Sequence, residues 1–353
     1  MPRRNNHPGH TRFAGLLVAI LTLVMPVAAC SSKTIDAPPP TIEPAGPATA
    51  PLIATAPAGA VHPLAGSPVA ALIDAGSAAL VVLRPAADAG SDSSLSVFAP
   101  GGTASRTIPL PGPATAVAGD RRGVVYLSTT GGYFVVDLAA GTASRVDVTG
   151  QQSTDFTAIA RRSDGKLVLG SADGTVFIMA SPGPDATAVA EQTKIFARVD
   201  SIVTQGDTAV VLDRGQTSVT AVGPDGRAQQ SLRAGDGATT LAVDPAGRVL
   251  VTDTRGDELM VFGVNPLIMR QRYPVALAPY GLAGSSRLAW VSQTAANVVV
   301  GYDLATGIPV EKVRYPTVQQ PNILAFDDSS DTLYVISGSG AGVQVIDHAT
   351  APR

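Results

Sequence analysis

LVVL at residues 80–83 returns as VVYL at 124–127, KLVL at 166–169, AVVL at 209–212, VLVT at 249–252, LAWV at 288–291 and LYVI at 333–336. The last residues of successive copies lie 44, 42, 43, 40, 39 and 45 positions apart. Short runs of Val, Leu, Ile and Tyr suit the pleated, buried surface of a strand. A return every forty or so residues, with several such runs in each unit, is the signature of a β-propeller.

Working outward from these runs, a first strand precedes each, as in TAVAG (115–119), TAIAR (157–161), TLAVD (240–244) and ILAFD (323–327). RRSDGK and DPAGR lie between the two strands, and their Asp-Gly and Ala-Gly steps permit the positive φ of a tight hairpin. SVFA, FVVDL, VFIMA, SVTAV, LMVFG, VVVGYD and VQVID supply third strands. SRVDV (144–148), QQSLRA (229–234) and EKVRYP (311–316) read as fourth strands, and the third unit is longest before its fourth, at 181–194. The expected fold is all-β, a single seven-bladed propeller over residues 68–353. A sandwich or a pair of small β domains would not space its strands seven-fold. The seventh unit runs out after its third strand, with only His348–Arg353 beyond it. Part of 53–66 (IATAPAGAVHPLAG) is therefore expected to close the last blade.

The N-terminal sixty residues read differently. Residues 1–12 are polar and basic, and 13–29 (FAGLLVAILTLVMPVAA) are apolar and uncharged. That order matches a secretory signal peptide, too short and wrongly flanked for a spanning helix. Val27-Ala28-Ala29-Cys30 follows the pattern of a bacterial lipobox, with small residues before a thiol that accepts the acyl chain. Residues 1–29 are thus expected to be cleaved and Cys30 to be lipidated. Residues 30–67 hold eight prolines among Ala, Thr and Ser, a composition that reads as a flexible tether. Cys30 is the single cysteine, which rules out an intramolecular disulfide.

Composition narrows the function. The net charge is −3, and three arginines of the leader (Arg3, Arg4, Arg12) contribute to it, leaving about −6 for the mature body. An acidic body with no basic stripe argues against nucleic acid. The sixth and seventh units, LAWVSQTAANVVVGYDLATGIPVEKV and LYVISGSGAGVQVID, resemble YVTN- and NHL-type propeller repeats and lack the Trp-Asp and Gly-His marks of WD40 repeats. TDFTAIARRSDGKLVLGSADG (154–174), VVLDRGQTSV (210–219) and PVEKVRYPTVQQP (309–321) carry a similarity to a family of conserved mycobacterial lipoproteins. That resemblance implies an actinobacterial cell-envelope lipoprotein of unestablished activity, and it brings no catalytic residues.

Chemistry is sparse. His7 and His10 leave with the signal peptide, His62 is in the tether and His348 is near the C-terminus, so a Ser-His-Asp triad and a His/Cys zinc site lack their ligands. SADGT (171–175) reads as a hairpin turn. Glutamates number four (Glu43, Glu191, Glu258, Glu311), and aromatics are 5% of the chain, which disfavours carbohydrate. Propeller specificity sits in the loops from strand two to three and from strand four to the next blade. Those loops nominate Asp155, Asp200, Asp213, Arg214, Asp253, Arg255, Tyr280, Gln293 and Asn322 as a rim for a ligand or partner. Asp213-Arg214 and Asp253-Arg255 occupy equivalent places in neighbouring blades. They would clamp a polar ligand or a partner segment, or else pair across blades and seal the rim. No catalytic or metal residue is nominated. The expectation is a scaffold held by lipid on the extracytoplasmic face of the cell membrane, binding an envelope protein or a small polar ligand without a cofactor. The alternative is a lactonase-like hydrolase using carboxylates and calcium at the channel mouth.

Overall fold

The computed structural model describes residues 39–86, 88, 91–102, 105–180 and 186–351. The leader 1–29, the lipobox cysteine Cys30 and the tether up to residue 38 lie outside them.

Seven sheets, antiparallel but for one short parallel pair, follow one another along the chain. Blade one comprises Ala70–Asp74, Ala79–Arg84, Ser94–Phe98 and Ser105–Pro109, and blade two Val117–Gly119, Val124–Thr129, Gly132–Asp137 and Thr142–Val148. Blade three uses Phe156–Arg161, Leu167–Ser171, Thr175–Met179 and Val189–Lys194; blade four uses Ser201–Gln205, Thr208–Asp213, Ser218–Val222 and Ala228–Arg233. Blade five is built from Ala238–Val243, Arg248–Asp253, Glu258–Val264 and Leu267–Pro274, and blade six from Pro279–Gly284, Ala289–Gln293, Val298–Asp303 and Val310–Pro316. Blade seven takes Pro321–Asp327, Thr332–Ser337 and Val343–Ile346 from the C-terminal end. Its outermost strand is Ala60–His62, from the stretch 53–66, which pairs antiparallel with Val343–Val345. The chain is a seven-bladed β-propeller.

The burial of each strand follows from its place in the blade. Second strands such as Leu167–Ser171 and Thr208–Asp213 are buried along their whole length, because neighbouring blades cover both faces. Outer strands cover one face only, so Leu267–Pro274 alternates between shielded and exposed residues with a period of two. First strands adjoin one another around the ring and line its channel.

Among the described residues seven apolar clusters form, one at each junction between blades. Between blades six and seven, Trp290 stacks on Phe326 at 5.5 Å and on Tyr315 at 6.5 Å. Each fully buried Val, Leu or Phe contributes roughly 1.5–3 kcal/mol, so stability resides in the junctions and depends on the ring being closed. Leu64 enters the junction of blades seven and one, just past the closing strand.

Two stretches depart from the sequence reading. In the long third unit, Ala186–Thr187 leaves its own blade and pairs in parallel with Asp147–Val148, giving blade two a fifth strand. Within the proline-rich region assigned to a flexible tether, residues 42–51 are hydrogen-bonded to the propeller. They lie on the propeller, held by side chains whose positions the linear sequence does not reveal.

Candidate functional site

The face bearing the two-to-three and four-to-one loops is organised in five of the seven blades by the last residue of the second strand. In blade two Thr129 Oγ1 donates to the Pro113 carbonyl at 2.6 Å. Asp213 in blade four accepts the Ala197 and Arg198 main-chain N–H groups at 2.7 and 3.2 Å. Asp253 in blade five accepts those of Asp236 and Gly237 at 2.7 and 2.8 Å. Gln293 in blade six donates to the Ala276 carbonyl at 3.0 Å, and Ser337 in blade seven to Gln319 at 2.7 Å. One position thus braces the incoming loop in five blades. The polarity of each side chain matches what the loop offers, donor to carbonyl and carboxylate to N–H.

Asp213 and Asp253 are wholly buried, and each also caps its own turn, through Gln216 N–H and Gly256 N–H at 2.9 Å. A Cβ at Gly235 or Gly256 would overlap the Asp253 carboxylate, which explains glycine at both. The two aspartates therefore face loop backbone. The side chains of their neighbours Arg214 and Arg255 turn elsewhere, to main-chain carbonyls.

Both arginines reach a segment of the same chain. Arg255 Nη2 donates to the Glu43 carbonyl at 2.8 Å, while its Nη1 donates to the Asp236 carbonyl at 3.0 Å. Arg214 Nη2 donates to the Ala45 carbonyl. Farther along, Gln320 Nε2 donates to Ala48 O at 2.9 Å and its Oε1 accepts the Ala50 N–H at 2.9 Å. Gln319 Nε2 donates to Ala50 O at 3.4 Å and Asn297 Nδ2 to Pro51 O at 2.7 Å. The Ile42 N–H donates to the Gly215 carbonyl at 2.8 Å. Thr41–Pro51 has no helix or strand assignment and runs over the face from blades four and five to blades six and seven. Gly237 and Gln320, two of its points of contact, immediately precede the inner strands of blades five and seven, so the segment lies at the channel mouth.

Small residues make the fit. Ala45 and Ala50 are buried against the face, at 8% and 6% exposure. A Cβ on Gly237 would lie 2.9 Å from that of Ala45 and 2.8 Å from that of Arg255. Glycine there provides space for the strap.

The other nominated residues have separate surroundings. Asp155 is exposed and its backbone bridges Thr130, one blade away from the strap. Asp200 accepts the Arg214 N–H at 2.8 Å and pairs with Arg198 at 3.2 Å. Burial raises its pKa, against opposing hydrogen bonding from Arg214, the charges of Arg214 and Arg198, and with a further raise from Asp213. The Tyr280 carbonyl accepts Thr252 Oγ1 at 3.0 Å, stitching blade five to six. Gln293 is buried, and its Oε1 accepts Arg314 Nη1 at 2.8 Å. Asn322 Oδ1 accepts Gln320 Nε2 at 2.9 Å and so orients one of the strap's anchors. Within the SADGT turn, burial raises the Asp173 pKa but hydrogen bonds from Lys194, Ser171 and Thr175 prevail and bring it to about 2. His348 is exposed in a turn.

The rim as read from sequence missed Asn297, Gln319 and Gln320. The adjacent pair Gln319-Gln320 in a four-to-one loop was the available signal, since two amides beside a channel mouth supply donors without charge. Among the described residues no group of three or more His, Cys, Asp or Glu is placed to hold a metal ion.

No family model matches the sequence, and no curated protein does. Solved structures do. RRP9 WD40 repeats align with a TM-score of 0.68 at 14% identity, covering 83% of this chain and 99% of that one. Hydrazine synthase of Kuenenia stuttgartiensis gives 0.65 at 13% identity, with 81% and 97% covered. Virginiamycin B lyase from Staphylococcus aureus gives 0.64 at 10% identity, with 81% and 99% covered. These likenesses establish the fold alone. They join a repeat protein and two enzymes, so the fold by itself does not choose between binding and catalysis.

Proposed function

We propose that this chain is a protein-binding scaffold of the cell envelope, anchored by lipid at Cys30, whose binding surface is the face of two-to-three and four-to-one loops. The observation that carries the reading is the set of side chains from four blades, Arg214, Arg255, Asn297 and Gln320, that donate to the backbone of a polypeptide laid on that face. A surface that satisfies main-chain carbonyls in this way is built for a protein ligand. Of the rim carboxylates open to a hydrolase (Asp155, Asp200, Asp213 and Asp253), Asp213 and Asp253 are occupied by loop N–H groups. The lipid anchor rests on the leader and the lipobox pattern of the sequence.

The two faces of the ring provide an internal control. Leu277 is 49% exposed in a four-to-one loop, and Ile308 is 66% exposed in a three-to-four loop on the opposite face. A photo-reactive amino acid placed at either position in the full-length chain, in its native envelope, should form adducts with another envelope protein from position 277 and not from 308. Equal labelling from both positions, or none from 277, would overturn the scaffold reading.

A further inference from the structure

Thr41–Pro51 reads TIEPAGPATAP, with prolines at 44, 47 and 51. Proline has no N–H, so such a segment carries more acceptors than donors and cannot be taken up as an added strand. The face answers with donors: two guanidiniums and three primary amides reach the carbonyls of residues 43, 45, 48, 50 and 51. Among the described residues the propeller takes up two N–H groups of the segment, those of Ile42 and Ala50. The side chains that enter the face are methyl groups, Ala45 and Ala50, and a glycine at 237 makes room for the first. Recognition thus uses carbonyl positions and small residues, with φ already restricted by proline, which lowers the entropy lost on binding.

We propose that the channel mouth is a binding site for a proline-interrupted, alanine-rich extended segment of another protein, and that Thr41–Pro51 is the chain's own occupant of that site. The proposal rests on the scaffold reading and specifies its ligand. The donor set reads backbone carbonyls, so it does not depend on the strap's particular sequence beyond small residues at two positions. A partner with the same spacing of prolines and alanines meets the same donors. Its competitor is tethered, however, at an effective concentration on the order of millimolar, so the face is closed to weak ligands while the strap is in place.

The test uses the full chain and a fluorescein-labelled peptide of sequence TIEPAGPATAP, with binding read by anisotropy. Ala45→Phe together with Ala50→Phe puts two rings where only methyl groups fit and should displace the strap without altering the propeller. The labelled peptide is expected to bind this variant at least about tenfold more tightly than the unaltered chain, since the competing strap is gone. Adding Arg214→Ala and Arg255→Ala to that variant should return binding to the level of the unaltered chain. Equal binding to the unaltered and opened chains, or binding indifferent to the two arginines, overturns the proposal. Should the opened variant fail to fold, hydrogen exchange on the unaltered chain serves instead. Millimolar peptide should speed exchange at the Ala50 amide, and an unchanged rate overturns the proposal. Peptide binding without photo-adducts at position 277 would refute the scaffold reading and keep the site chemistry; adducts without peptide binding would do the reverse.

Discussion

Asp213 and Asp253 show how far a single residue can be read without its surroundings. Their spacing in neighbouring blades was visible, and so was their place at the rim, because the strand period sets both. Their role was not, since a carboxylate after a strand can face solvent, a metal or a loop. The decision lies with the loop that arrives from the preceding blade, whose N–H groups converge on each of them. Asp253 is the clearer test, being completely buried and accepting three N–H groups. Asp253→Ala leaves these donors without a partner, and each buried donor so orphaned costs about 1–3 kcal/mol. Allowing for relaxation, the loss of stability should be about 2–4 kcal/mol in denaturant unfolding. Asp253→Asn keeps one acceptor oxygen and should lose less. An alanine variant as stable as the parent, or an asparagine variant worse than alanine, would refute the bracing role and return Asp253 to the pool of ligand groups.

At the level of elements, strands were legible and the strap was not. A second strand announces itself because its neighbours in sequence are its neighbours in the hairpin, and the apolar run repeats seven times. The closing strand Ala60–His62 could be located only from a deficit, the missing fourth strand of the last unit. Thr41–Pro51 offered nothing comparable. Its anchors lie 169 to 272 residues away and contact main-chain atoms, which every sequence possesses. Composition therefore described it as a linker, and only the fold discloses what lies beneath it. The two N-terminal elements also differ in energetic weight. Ala60–His62 completes a sheet and precedes Leu64 in a junction core, and the Gln344 side chain secures its approach by donating to the Ala58 and Pro316 carbonyls at 2.7 and 3.0 Å. Deleting residues 53–66 should lower the melting temperature sharply, because it opens an edge in blade seven and removes Leu64 from the seam with blade one. An unchanged thermal transition would mean that the ring does not depend on this closure.

For the whole molecule, the competing readings differ in where negative charge is available. A calcium-dependent hydrolase needs several carboxylate oxygens converging at the channel mouth, at 2.3–2.6 Å from one ion. The ring instead commits the carboxylates of blades four and five to its loops and turns arginines and amides toward the opening. The two guanidiniums at the mouth repel a divalent cation, and with the amide N–H groups they attract carbonyl oxygens, so the field of the face favours the polypeptide reading. Calcium binding to the native state would raise the melting temperature by an amount set by its occupancy, whatever the chemistry downstream. The chain without residues 1–29 should therefore melt at the same temperature with millimolar calcium as with a chelator. A rise with calcium that the chelator reverses would show that carboxylates outside the loop braces gather around an ion, and the hydrolase would displace the scaffold as the better account of this propeller.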